Sequence, residues 1–163
     1  NQIVATVTRI LVGIGIAINS LHAFYFPLFP NQSSTVPWHL LRDPKYKKVL
    51  HNGIFDLYSL REYEVDMTNL WDTNIASRLL CNFDNSLDWL ACIHGLPVRN
   101  MGDVLKENGA KTVLDLPTET TAFKCMVDCL ATANLYERWN GVVSQPYMDM
   151  ETAVIPILTN IIH

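Results

Sequence analysis

From Ile10 to Phe29 the chain reads ILVGIGIAINSLHAFYFPLF, a run without a single Asp, Glu, Lys or Arg. As an α-helix it would rise ~1.5 Å per residue and span ~30 Å, the thickness of a bilayer's hydrocarbon core. Arg9 flanks one end, and Phe24, Tyr25 and Phe26 gather at the other, where aromatic rings favour the headgroup boundary. Gly13 and Ala17 form a small-x-x-x-small face suited to another membrane helix. A buried helix of a water-soluble core and an uncleaved secretory signal are the competing readings. The first residue is Asn1 rather than Met, which is read as an upstream segment removed or not included, with this one left in place. The membrane anchor, residues 1–30, is adopted, with membrane lipid and neighbouring membrane subunits as partners through Gly13 and Ala17. An organellar inner or thylakoid-type membrane is the expected location. His22 lies within the run and is carried as a candidate ligand for haem or pigment in a neighbouring subunit, although no cofactor is otherwise evident.

Pro27, Pro30 and Pro37 end the run, because proline lacks the backbone donor that a helix needs. Asn31-Gln32-Ser33 has the form of a glycosylation acceptor, relevant only on a lumenal face. Residues 31–80 read as a linker and an irregular or helical segment, with short helices near Ser59–Tyr63 and Asn74–Leu80. Glu62, Glu64 and Asp66 read as a solvated acidic face. Arg42, Lys45, Lys47 and Lys48 are the nearest thing to a basic cluster, and with a net charge of −4 they leave nucleic acid off the list of expected partners.

Cys81, Cys92, Cys125 and Cys129 lack the spacing of a zinc site, so no metal centre is expected. Cys125 and Cys129, four apart in a helical pattern, share one face as buried thiols, with disulfides the alternative.

The last half has a rhythm. Met101, Val104 and Leu105 fit a helix over Asn100–Gly109 that Gly109 closes. Val113, Leu114 and Leu116, stopped by Pro117, read as a buried strand. Phe123, Met126, Val127, Leu130 and Leu135 recur at helical spacing, NGVVSQP reads as a turn and second strand, and a further helix begins near Met150 with Pro156 inside it. Strand, helix, strand, helix implies an α/β layer with parallel strands.

Gly95-Leu96-Pro97, the run from Gly109 to Leu116, Glu119, and Pro146-Tyr147-Met148-Asp149 stand in an order that resembles the first half of a dual-specificity phosphatase domain of the protein tyrosine phosphatase superfamily. The resemblance covers residues 81–163. It implies a partial parallel-sheet domain and assigns Asp149 as the general acid. The family's Cys-x5-Arg loop is absent. In CIHGLPVRN, Cys92 and Arg99 are separated by six residues, His94 follows the cysteine, and Pro97 removes an amide that would hold phosphate.

The expected fold class is therefore α/β, a single transmembrane helix followed by a partial phosphatase-like domain. The expected function is that of a membrane-anchored, non-catalytic accessory or assembly subunit, a pseudoenzyme within a larger complex. The alternative is the front part of an active lipid or protein phosphatase whose Cys-x5-Arg loop lies beyond residue 163.

Overall fold

The structure, a computed structural model, describes residues 11–28 and 35–161. Residues 11–28 of the uncharged run form a hairpin, not a helix. Strand β1 (Gly13–Ala17) pairs antiparallel with β2 (Ala23–Pro27), Gly13 opposite Pro27 and Ala17 opposite Ala23. Two glycines within one turn cost a helix about 1 kcal/mol each, whereas the β-branched Ile14 and Ile16 suit a strand. The chain reverses at Asn19, whose Oδ1 accepts hydrogen bonds from the backbone N–H of Leu21 at 2.8 Å and of His22 at 2.9 Å.

The small residues have a use inside the domain. A Cβ on Gly13 would lie 2.1 Å from the Tyr25 hydroxyl, so the Tyr25 ring lies where a side chain at Gly13 would be. Among the described residues no helix is long and apolar enough to cross a membrane. This overturns the transmembrane anchor, the lipid and membrane-subunit partners assigned through Gly13 and Ala17, and the organellar or thylakoid-type membrane location. The Asn31-Gln32-Ser33 sequon lies outside the described residues.

After α1 (Trp38–Arg42) comes β3 (Lys48–Leu50), followed by α2 (Gly53–Leu60), a 3-10 turn (Arg61–Tyr63) and β4 (Leu70–Asp72). Strands β3 and β4 pair in parallel, Val49 opposite Trp71, with α2 in the crossover. The basic cluster serves this loop: Lys48 Nζ donates to the carbonyls of Asp43 at 2.6 Å and Tyr46 at 2.8 Å. Helix α3 (Thr73–Leu79) leaves β4 directly, and Asp72 caps it.

The remainder is helical: α4 (Leu87–Ile93), α5 (Met101–Glu107), α6 (Thr118–Trp139) and α7 (Gln145–Ile161). Neither strand required by a phosphatase topology forms. Val113–Asp115 is a 3-10 turn, because the Asp115 carboxylate accepts from the backbone N–H of Lys111 at 3.1 Å and Thr112 at 2.8 Å and closes the segment on itself. The N–H of Val143 bonds back to the Trp139 carbonyl, a turn between α6 and α7. Gly95-Leu96-Pro97 follows the end of α4 rather than a strand. The fold is α/β, but its parallel pair is β3/β4 and the expected sheet through Val113 and Val143 does not exist among the described residues.

Three buried apolar clusters hold these pieces, the smallest of them packing Val104 of α5 against Val113 and Leu116. A second joins Ile14, Leu28, Leu57, Leu60, Met67 and Ile155. The third packs Trp71, Leu90, Leu135, Trp139 and Met148, so that α3, α4, α6 and α7 share one interior with β4. Helix α6 runs beneath β1, where Gly15 permits close approach. A Cβ there would lie 2.7 Å from the Cys125 Sγ and 2.6 Å from the Cys129 Sγ. All four cysteines are free thiols.

Candidate functional site

A cavity of about 420 Å³ opens where the end of β3, the start of α4 and the middle of α6 meet, and the buried Asp56, Lys124 and Thr132 line it. His51, Asn52, Asp56, Asp88, Arg99 and Lys124 are on its walls. A larger cavity of about 560 Å³ lies between β1 and β3 and is mainly apolar. The charged one is the better place for chemistry, since catalytic and anion-binding groups are polar. Asp56 and Thr132 border both.

The first wall is built by the sequence His51-Asn52-Gly53. Asn52 adopts a left-handed conformation, φ +63°, which asparagine tolerates better than most residues, and so turns the chain from β3 straight into α2. Asp72 fixes that turn from the neighbouring strand. Its Oδ2 accepts the Gly53 N–H at 2.6 Å, while Oδ1 accepts those of Asn52 at 3.2 Å and Asn74 at 2.8 Å. One buried carboxylate thereby satisfies backbone donors at the start of both α2 and α3. Asp56, one turn into α2, is 2% exposed.

His51 has a defined tautomer. The Thr73 hydroxyl donates its only proton to the Leu50 carbonyl at 3.0 Å, so it accepts from His51 Nδ1 at 2.8 Å. Burial lowers the imidazole's pKa against the pull of Asp72. Nδ1 therefore carries a proton, and burial favours the neutral ring.

The second wall carries Asp88, held by the Asn100 carboxamide at 3.3 Å. Burial raises this carboxyl's pKa, but hydrogen bonds from Ser86, Asn100 and the backbone outweigh that and bring it below its ordinary value. Arg99 sits at the rim, paired with Glu107.

The third wall is α6. Lys124 donates to both oxygens of Asp128, at 2.6 and 2.5 Å, one helical turn apart. Lys124 is 6% exposed and Asp128 is fully enclosed. Burial raises the Asp128 pKa, opposed by the attraction of Lys124. The pair sits on the buried face of α6, where sequence periodicity put Phe123 and Leu130; Phe123 is in fact 67% exposed.

Sequence reasoning placed its candidates elsewhere. Asp149 lies on the exposed face of α7, where its Oδ1 accepts from Gln145 Nε2 at 2.6 Å. His22 is exposed in the β1–β2 turn beside Asn19. Neither reaches the charged cavity. Asn52, Asp56, Asp72, Asp88, Lys124 and Asp128 were missed, and a signal was available: Asp56, Lys124 and Asp128 are charges inside otherwise apolar helical stretches, an arrangement that solvation alone does not explain.

These residues lie within one recognisable unit. Residues 38–138, well over half of the chain, match the family described as 3'-5' exonuclease. The chain belongs to this family. No curated protein matches it. Membership overturns the phosphatase resemblance, and with it the phosphatase-like half-domain, the membrane-anchored accessory or assembly subunit and the active phosphatase alternative. It also overturns the exclusion of nucleic acid as a partner. Net charge is an average over the whole surface, and the −4 of the full chain does not describe a cavity on whose walls Arg99 and Lys124 stand against Asp56 and Asp88.

Nucleases often stabilise the attacking and leaving oxygens of a phosphodiester with divalent ions held by carboxylates. The residues as placed do not fit such an ion. Among the described residues no group of three or more His, Cys, Asp or Glu converges, and both oxygens of Asp128 are already engaged by an ammonium.

Proposed function

We propose that this chain holds nucleic-acid strands and shortens them from the 3' end. One observation carries the reading: the stretch that matches the exonuclease family contains every one of the charged residues on the walls of the 420 Å³ cavity. That volume falls in the range of ordinary small-ligand sites, about 300–1,000 Å³, and suits a single terminal nucleotide.

Each wall has a task. Arg99 at the rim meets a backbone phosphate, a planar fork against an anion. Asn52 offers its carboxamide to sugar and base edges. Asp56, at the junction of the two cavities, orients the water that attacks the terminal phosphodiester.

Degradation of a 5'-labelled single-stranded oligonucleotide, in buffers containing magnesium or manganese, tests the reading. The expected result is a ladder of products that lose nucleotides from the 3' end, suppressed by Asp56→Asn in a protein with unchanged circular dichroism. A strand left at full length by the folded protein would overturn it.

A further inference from the structure

The contact between Lys124 and Asp128 stands apart from the other ion pairs of the domain. It is buried, it engages both carboxylate oxygens, and it lies against the wall of the cavity assigned to nucleic acid. Arg99 and Glu107, by contrast, pair in solvent with about half of each side chain exposed.

Taking two charges out of water is costly, and the gain over an apolar pair of the same size is small or negative. A buried pair at a functional cavity is therefore weakly explained by stability alone. Its geometry has another consequence. A carboxylate offers its two oxygens to a cation, and here the ammonium sits within hydrogen-bond distance of both, in the space an ion bridging those oxygens would need. Helix spacing makes this contact intrinsic, because residues four apart on α6 are neighbours on one face. Opposite charge so near also cancels most of the field with which Asp128 would attract a second cation.

We propose that Lys124 is a resident cation that occupies Asp128 in place of a divalent ion, so that any metal reaching this carboxylate must first displace the ammonium. The inference deepens the nuclease reading and rests on it for the relevance of metal. Its test uses metal binding rather than strand degradation, so either can fail without the other.

Manganese binding, followed by the loss of the free-ion electron paramagnetic resonance signal, reads the competition directly. Lys124→Gln removes the charge and keeps a hydrogen-bond donor, and it should tighten manganese binding at least tenfold. Lys124→Arg, which keeps the charge, should bind as weakly as the wild type. In the wild-type background Asp128→Asn should change affinity less than twofold, because that carboxylate is already occupied. In the Lys124→Gln background the same substitution should abolish the gain. An unchanged or weaker affinity in Lys124→Gln would overturn the proposal. So would a tenfold loss on Asp128→Asn with Lys124 in place, a measurement that does not require any Lys124 variant to fold. If Lys124→Gln is unstable, Lys124→Ala supplies the neutral side chain.

Discussion

Asp72 on β4 accepts the backbone N–H of Gly53 at 2.6 Å, joining the first turn of α2 to the strand beside it across nineteen residues of sequence. The same carboxylate caps α3. This is the joint from which the cavity is built, since α2 carries Asp56 and the residue before the turn is His51.

Replacing Asp72 should therefore cost more than one cap. Loss of an N-cap typically costs about 1 kcal/mol and a buried unsatisfied donor about 1–3 kcal/mol. Asp72→Ala is expected to lower stability by about 2–4 kcal/mol in urea unfolding, with Asp72→Asn intermediate because it retains one acceptor oxygen.

At the β1–α6 contact the limiting quantity is space. A methyl group at position 15 would fall 2.6–2.7 Å from two sulfur atoms. Gly15→Ala should destabilise by about 1–3 kcal/mol through overpacking. Combining it with Cys125→Ala and Cys129→Ala should recover part of the loss, as read by thermal unfolding of the single variant and the combination against the wild type.

The same packing governs thiol chemistry. Cys81 and Cys92 are exposed, Cys125 and Cys129 buried. Ellman's reagent should titrate two thiols rapidly in the native protein and the other two only after unfolding. Four rapid thiols would mean that β1 does not cover α6.

The buried imidazole sets a pH dependence. Burial holds His51 below its ordinary value of 6.5, against the pull of Asp72. Between that lowered value and 6.5 the unfolded chain binds the extra proton and the native chain does not, so stability rises with pH through this window and falls on acidification. Relative to His51→Gln, the wild type should lose melting temperature as the pH drops from about 7 to about 5, the interval in which an unperturbed histidine titrates. Parallel curves for the two proteins would contradict the neutral Nδ1–H assignment.

Local chemistry was legible from the residues themselves. The helix over Asn100–Gly109 is α5 followed by Gly109 at φ +61°, because glycine adopts that conformation without strain. The long helix from Thr118 and the acidic face at Glu62, Glu64 and Asp66 likewise follow from composition and spacing, which act within a few residues. The uncharged run of residues 10–29 was ambiguous for a physical reason: apolar character says that a segment is buried, not whether lipid or protein buries it. Only the pairing of β1 with β2 and the packing of Gly15 on α6 decided that. The site was hidden for a related reason. Asp56, Asp88 and Lys124 are far apart in sequence, and each taken singly is an ordinary charged residue. The turn at Asn52 and the seating of α6 bring them around one cavity, and desolvation there gives Lys124 and Asp128 a meaning that their spacing on a helix does not carry.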